Sequence, residues 1–263
     1  MTKTVLGDAL FSLDRRAIVV TGGAGYLGRV ICAALRDRGA DVLCVSSQIG
    51  EFEDPAEGRS VGSISSEVCD LHDEEAFDRA IAPFANQHGG LNGLVNCSVR
   101  SARGINLDMP KDVFNATIQG VFTHYFTSAR TAVRHFNASP GSIVNIASIW
   151  GLVAPDPRVY LDLENEPNLA LPPSEAAILQ MTKYLAVLMA EKEIRVNSVA
   201  PGWFPKKRGE ERPDYMAEII RRVPLGRIGK PDDIVGAVVF LLSGASAYMT
   251  GQQMVIDGGY TLW

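Results

Sequence analysis

The sequence predicts an α/β fold: a doubly wound parallel sheet of about seven strands with helices on both faces. Short apolar segments alternate with longer segments of helical spacing along most of the 263 residues, a pattern typical of repeated strand–helix–strand units. The short segments are apolar at nearly every position, as expected for strands buried on both faces. Because no linker, internal repeat or low-complexity run divides the chain, we expect one domain over residues 1–263.

The predicted elements follow one another in regular order. Strands are expected at 17–20, 41–45, a segment ending at 68–69, 94–97, 142–147, 194–199 and 253–256. Helices are expected at 26–38, 74–86, from 110 to about 136, 172–190 and 231–243. Two irregular inserted loops, at about 153–171 and 202–213, follow strand ends, which is where ligands bind in open α/β sheets.

Charge and hydropathy limit the partners of this chain. The formal net charge is −5, whereas nucleic acids and anionic membranes need a basic protein face, so we expect no nucleic acid and no membrane as a partner. The sequence contains no apolar run of the length (about 18 residues) that spans a bilayer, and its first residues lack the apolar core of a signal peptide. We therefore expect a cytoplasmic protein that acts on a small-molecule substrate.

The cysteines and histidines do not predict a metal site. The four cysteines are not spaced as C-x-x-C and fall in predicted strands or helices, so we interpret them as small buried side chains of a protein from a reducing compartment. The four histidines lack metal-ligand spacing. We expect them to be solvated or hydrogen-bonded.

A glycine-rich segment connects the first predicted strand to the first helix. Gly22, Gly25 and Gly28 enclose Tyr26 and Leu27 in this strand–turn–helix context. Glycine permits a tight turn and close approach of a pyrophosphate, and the helix N-terminus offers free N–H groups. The segment therefore predicts a Rossmann fold that binds a dinucleotide through these five residues; the alternative is a structural turn without a ligand.

The end of the second strand leaves the choice of cofactor open. An acidic residue at this position would bond the ribose 2′-hydroxyl of NAD and repel the 2′-phosphate of NADP. The chain has Ser46 there, followed by Ser47, with no adjacent arginine to hold a phosphate. Arg29 is the nearest candidate, although an arginine on a helix surface is the commoner interpretation. NAD and NADP are both compatible with this sequence.

Several further motifs together resemble one family, the short-chain dehydrogenases/reductases, over about residues 12–263. Besides the glycine loop, these motifs are Gly141–Ser148, Ile194–Gly202, Pro224–Pro231 and Asp257–Gly259. The resemblance implies NAD(P)-dependent oxidation of an alcohol or reduction of a carbonyl. It also implies assembly as a homotetramer or homodimer through the helices at 111–136 and 172–190.

The resemblance implies roles for several residues along the cofactor. Asp70, with Leu71 beside it, corresponds to the aspartate that bonds the adenine amino group, although Asp70 alternatively caps the following helix. Asn96 is what remains of the family's Asn-Asn-Ala-Gly segment. Pro201 and Gly202 match the loop that covers the nicotinamide.

The catalytic pair of the family is missing. Members carry Tyr-x-x-x-Lys, in which the tyrosine is the general acid/base and the lysine its cationic partner. This chain has Leu171 and Glu175 in those positions, and Thr117 where the family has a catalytic asparagine. Ser148 matches the serine that bonds the substrate oxygen, or alternatively caps a turn. Tyr160 lies 12 residues after Ser148, near the usual serine-to-tyrosine spacing, and is either a relocated proton donor or a buried structural tyrosine.

These observations leave three functions open. The first is an NAD(P)-dependent oxidoreductase with a degenerate active site; the segment after Trp150 resembles a subgroup assigned to sugar pathways. The second is a catalytically inactive protein that binds a nucleotide or metabolite. The third is a non-redox lyase or dehydratase that uses Ser148 and Glu175. The candidate catalytic residues are Ser148, Glu175 and Tyr160, and the fold alone does not choose among these functions.

Overall fold

The parallel sheet predicted from the sequence is present and has seven strands. The structure, a computed structural model, describes residues 9–53, 62–101, 107–136, 140–160, 168–205 and 213–263. The strands are β1 Ala17–Thr21, β2 Asp41–Ser46, β3 Ile64–Val68, β4 Gly93–Asn96, β5 Gly141–Ile146, β6 Ile194–Pro201 and β7 Gln253–Ile256. All neighbouring strands pair in parallel, in the order β3-β2-β1-β4-β5-β6-β7. The predicted fold class is confirmed.

Seven α-helices connect these strands in the described part of the chain. They are α1 Gly28–Arg36, α2 Glu74–Gln87, α3 Lys111–Ile118, α4 His124–Val133, α5 Leu171–Met189, α6 Pro213–Arg221 and α7 Asp232–Leu242. The long helix expected from residue 110 is divided into α3 and α4 by a π-helical turn at Gln119–Thr123. Such turns are frequent at functional sites. α6 has no counterpart among the predicted helices.

The core consists of two apolar layers, one on each face of the sheet. Successive side chains of a strand point to opposite faces. In β1, Ile18 and Val20 therefore join the layer beneath α1 and α7, whereas Ala17 and Val19 join the layer beneath α2, α4 and α5. All four side chains are almost completely buried. This two-sided burial explains why β1 is apolar at nearly every position, whereas the edge strand β3 (ISSEV) is mostly polar and partly exposed.

Parts of both inserted loops lie outside the described residues. These parts are 161–167 in the first loop and 206–212 in the second. Among the described residues, no helix has the length and apolarity to cross a bilayer. The same residues contain no group of three or more His, Cys, Asp or Glu side chains that could hold a metal ion.

Candidate functional site

A cleft of about 970 Å³ opens at the carboxyl ends of the first five strands. It lies where the strand order reverses between β1 and β4, which is the usual ligand site of an open α/β sheet. The predicted cofactor residues that line it are Gly22, Gly25, Tyr26, Leu27, Gly28, Ser46, Asp70 and Leu71. Eight of the eleven residues predicted to contact the cofactor therefore share one cleft.

The glycine loop has no room for side chains. Gly22 has a φ of 68°, in the left-handed region, and a Cβ there would lie 2.8 Å from the Ser98 Cα. A Cβ at Gly28 would lie 2.2 Å from the Gly22 carbonyl oxygen. α1 begins at Gly28, receives no side-chain cap and has no acidic residue in its first turn. The Arg29 N–H donates to the Gly25 carbonyl at 3.1 Å, whereas the Gly28 N–H has no backbone partner among the described residues. The Gly28 N–H and the positive end of the helix dipole are therefore available to an anion.

Ser46 stabilises the glycine loop through a hydrogen bond. The Ala24 N–H donates to the Ser46 Oγ at 3.2 Å, and Ser46 is buried. Ser47 and Gln48 continue the cleft wall beyond it. Arg29 is exposed and is not among the described residues that line the cleft. Among the described residues, the cleft thus has neither the carboxylate that selects NAD nor a cation beside β2 that would select NADP.

Asp70 is free of the helix-capping role considered from the sequence. The cap of α2 is Asp73, whose Oδ1 accepts the Ala76 N–H at 2.9 Å. One carboxylate oxygen of Asp70 accepts the His72 N–H at 3.0 Å. Asp70 and Leu71 both line the cleft, and the other Asp70 oxygen has no hydrogen-bond partner among the described residues, so it is available to an exocyclic amino group.

The three other predicted cofactor residues are not among the described residues that line the cleft. Asn96 is completely buried; its Nδ2 donates to the Asn145 Oδ1 at 2.9 Å and its Oδ1 accepts the Ser128 hydroxyl at 2.8 Å. Pro201 ends β6, and the Gly202 N–H donates to a carbonyl of β7. From this loop it is Phe204 that lines the cleft. Contacts of Asn96, Pro201 and Gly202 with a cofactor stay predictions.

Ser148 lies two residues after β5, caps a short 3-10 helix at Ile149–Gly151 and is not among the described residues that line the cleft. Its Oγ accepts the Trp150 N–H at 3.2 Å. The turn-capping geometry considered from the sequence is therefore present. A hydroxyl that accepts one bond keeps its hydrogen free to donate, so Ser148 can still bond a substrate oxygen.

Glu175 is a buried carboxyl in the second turn of α5. Its side chain is 3% exposed, and Oε2 has no hydrogen-bond partner among the described residues. Gly151 packs against its backbone, since a Cβ at Gly151 would lie 2.8 Å from the Glu175 carbonyl carbon. Burial raises the pKa of Glu175 to about 8, because an apolar environment disfavours the charged form. At neutral pH this carboxyl is protonated and uncharged.

Asn168 is a site residue that the sequence analysis missed. It is completely buried, and its Nδ2 donates to the Thr117 Oγ1 at 2.9 Å and to the Ser101 Oγ at 3.1 Å. Its Oδ1 accepts the N–H groups of Ala170 and Leu171, both at 3.0 Å. A carboxamide thus contacts the position where the family has its asparagine, and it holds the start of α5. The available signal was an asparagine just before a helix, a common N-terminal cap.

His124 contradicts the expectation of a solvated or hydrogen-bonded histidine. It lies on the cleft wall, is 2% exposed, and neither ring nitrogen makes a hydrogen bond of ordinary geometry within the described part of the chain. Desolvation lowers its pKa to about 4; the nearby backbone of Ser98 and Gln119 offsets only part of that effect. His124 is therefore neutral. His124 lies four residues after Gly120, so both lie on one helix face. This spacing was the sequence signal that could have placed His124 at the cleft.

Tyr160 belongs to a cluster of aromatic side chains beyond the cleft. The members of this aromatic cluster are Trp150, Tyr160, Trp203, Tyr215 and Tyr260. The Tyr160 ring centroid lies 5.8 Å from that of Trp203 and 6.1 Å from that of Tyr215. Tyr160 is buried and is not among the described cleft-lining residues. Its surroundings fit the structural interpretation better than that of a proton donor.

Comparisons with known proteins agree over nearly the whole chain. The profile of a family described as Enoyl-(Acyl carrier protein) reductase matches residues 23–261. D-arabinitol 2-dehydrogenase (ribulose-forming) of Candida albicans is 28% identical, with 96% of this chain and 95% of that protein covered. Galactitol 2-dehydrogenase (L-tagatose-forming) of Cereibacter sphaeroides is 29% identical, with 97% and 98% covered.

Solved structures of similar proteins include cofactor complexes. A short-chain dehydrogenase from Leptospira borgpetersenii with bound NAD⁺ superposes with a TM-score of 0.84 at 27% identity, covering 99% of this chain and 97% of that one. An Agrobacterium tumefaciens structure with bound NADP has a TM-score of 0.79 at 25% identity, covering 97% and 99%. The neighbours thus include complexes with each of the two cofactors.

Proposed function

The chain belongs to the short-chain dehydrogenase/reductase family, and from this premise we propose that it is an NAD(P)-dependent oxidoreductase that works without the family's tyrosine and lysine. Its substrate is a small alcohol or carbonyl compound. Two polyol dehydrogenases among its relatives support a hydroxylated substrate. The proposal has two parts, cofactor binding and proton transfer, which depend on different residues.

The residues of the cleft fit a dinucleotide. Gly22 and Gly28 permit close approach to the start of α1, where the Gly28 N–H has no backbone partner among the described residues, which suits a pyrophosphate. Asp70 keeps one carboxylate oxygen for the adenine amino group. A bound nicotinamide supplies or accepts the hydride. The protein then has to orient the substrate oxygen and move one proton.

Glu175 is the observation on which the proton-transfer part depends. Leu171 has no proton to give, whereas the Glu175 carboxyl, with a pKa of about 8, holds one at neutral pH and can exchange it near that pH. Leaving a buried oxygen without a partner costs about 1–3 kcal/mol, and Glu175 Oε2 is such an oxygen among the described residues. A ligand hydroxyl would satisfy it. We assign Glu175 as the proton donor and Ser148 as the hydroxyl that orients the substrate oxygen.

Glu175→Gln tests this assignment, because glutamine keeps the shape and removes the exchangeable acid. Titration with NADH and NADPH should give the same affinities for the variant and the native protein. Turnover of arabinitol, ribulose and a wider polyol and ketone set should fall by about 10²–10⁴ in kcat, and the inflection of the native pH profile near pH 8 should disappear. Unchanged kcat and an unchanged profile in the variant would rule out Glu175 as the donor.

A catalytically inactive, dinucleotide-binding protein is the second candidate. One observation favours it: Glu175 is not among the described residues that line the cleft. In that case the native protein should bind NADH or NADPH but turn over none of the polyols and ketones. The lyase or dehydratase alternative needs Glu175 as an ionised base, which its raised pKa opposes at neutral pH.

Self-association as a homodimer or homotetramer is part of the proposal. Tyr184, Val187 and Leu188 on α5 are 64%, 71% and 49% exposed, and Phe126 on α4 is 40% exposed. Apolar side chains grouped in this way support a protein interface. Light scattering of the native protein should give a mass of two or four chains, and Val187→Glu should lower it; a monomeric native protein would contradict this.

A further inference from the structure

Arg100 is the one lysine or arginine among the described residues that line the cleft, and Asp70 is the one carboxylate. The two lie far apart in the sheet. Asp70 follows β3 at the outer edge, whereas Arg100 follows β4, three strands away in the strand order. Glu175 contributes no charge at neutral pH because its pKa is about 8. Among the described residues that line the cleft, the permanent positive charge is therefore that of Arg100. Residue 175, where the family has its lysine according to the sequence, contributes no charge.

The backbone around Arg100 contacts the π-helical turn at Gln119–Thr123 and is linked by hydrogen bonds to the start of α5. The Arg100 N–H donates to the Gly120 carbonyl at 2.8 Å. A Cβ at Gly120 would lie 2.2 Å from the Arg100 oxygen, so only glycine permits this approach. The next residue, Ser101, accepts the Asn168 Nδ2, and Asn168 in turn holds the N–H of Leu171. Arg100 is thus anchored beside the start of α5.

Among the described residues, the Arg100 guanidinium has no partner and is available to a ligand. Arg100 is exposed, and its side chain has no ion pair or hydrogen bond with any described residue. Other arginines of this chain have carboxylate partners: Arg130 bonds Glu74, and Arg227 bonds Asp233. A guanidinium presents N–H donors in a planar fork that matches the two oxygens of a carboxylate or phosphate.

We propose that Arg100 binds a carboxylate or phosphate oxyanion in the cleft, and that its place beside α5 makes the substrate the source of that group. This inference rests on the proposed function, since it names the substrate class of the same cleft. That class is an alcohol or carbonyl compound with a carboxylate or phosphate next to the reacting carbon. The cofactor's own phosphates carry the same chemistry, and the experiment separates these two sources.

Binding of three ligands to the full chain, measured by calorimetry, tests the proposal. 2-Oxobutyrate and butan-2-one share a carbon skeleton and differ by carboxylate against methyl, and ADP-ribose carries the cofactor phosphates without nicotinamide. The native protein should prefer 2-oxobutyrate over butan-2-one by about tenfold or more, the factor expected for a charge-assisted hydrogen bond. Arg100→Gln should abolish this preference and Arg100→Lys should keep part of it. Arg38→Gln, an equal charge change on an exposed residue away from the cleft, should leave it intact.

Each outcome decides a separate point. If Arg100→Gln weakens 2-oxobutyrate alone, the substrate carries the oxyanion; if it weakens ADP-ribose about tenfold or more, the cofactor does. If neither affinity changes, Arg100 binds no oxyanion and the inference is wrong. The proposed function fails separately, when the native protein binds neither ADP-ribose nor NADH, and Arg100-dependent binding of 2-oxobutyrate is still measured in that case.

Discussion

The glycine loop after β1 and the first turns of α5 differ in how strictly the backbone restricts the residue types that each can contain. At the loop, backbone geometry fixes the residue type: Gly28 faces a carbonyl oxygen that any side chain would displace. At α5, the backbone of a regular helix accepts nearly any residue, and it contains Leu171 and Glu175, which the sequence aligns with the family's catalytic pair. Cofactor binding is therefore built into the fold, while the proton chemistry depends on exchangeable side chains.

Among the variants that test this comparison, the double substitution Leu171→Tyr with Glu175→Lys should give the largest change in activity. If the α5 backbone is compatible with the family's chemistry, restoring the tyrosine and its cationic partner should increase carbonyl reduction by about 10²–10⁴. Steady-state rates with NADH or NADPH and small ketones measure the gain. Adding Ser148→Ala should cancel it. No gain in a variant that still binds the cofactor would mean that Pro172 and Pro173, in the first turn, misplace the tyrosine.

The burial of Glu175 should make stability depend on pH in a defined direction. Its pKa is about 8 in the folded chain against an ordinary value of 4.5. Below pH 4.5 both states are protonated; between these two values only the folded state keeps the proton, so the free energy of unfolding falls by about 1.4 kcal/mol per pH unit. Above pH 8 the fall ends, because both states are then ionised.

Glu175→Gln should remove this slope, since glutamine does not titrate. Urea unfolding at several pH values measures it as a difference between variant and native protein that grows from pH 4.5 to pH 8. Glu191→Gln, at an exposed position after α5, is the matched control and should leave the slope in place. Parallel curves for native protein and Glu175→Gln would show that Glu175 is ionised in the folded state.

Sequence patterns were sufficient to locate an element where one physical rule determines its residue types. Apolar runs located the strands, and the glycine spacing located the loop, because burial on two faces and the tight turn each exclude most residue types. The π-helical turn at Gln119–Thr123 was not predicted, since its residues also suit an α-helix and only tertiary contacts such as that of Gly120 with Arg100 distinguish the two. α6 was missed because it begins at the end of the segment that the sequence predicts as an irregular loop.

The candidate site was harder to predict because its residues come from distant segments. Asn168 belongs to an inserted loop, and no periodicity connects it to Thr117 in α3 or to Ser101 after β4. The burial of His124 depends on its packing against the cleft wall, which a single helical pattern does not reveal. The alignment of Leu171 and Glu175 with the family's catalytic pair was a prediction from the sequence, but the neutral state of Glu175 required its burial to be known.

Titration with NADH and NADPH tests the central claim most directly: the dinucleotide site functions in a chain whose sequence aligns Leu171 and Glu175 with the family's catalytic pair. The account predicts saturable binding of at least one cofactor by the native protein. Gly28→Ala should abolish it, because its Cβ would lie 2.2 Å from the Gly22 oxygen. Gly236→Ala, in α7 with nothing within 4 Å of the added Cβ, should bind as the native protein does. A native protein that binds neither cofactor, or a Gly28→Ala variant that binds as well as the native protein, would contradict the account.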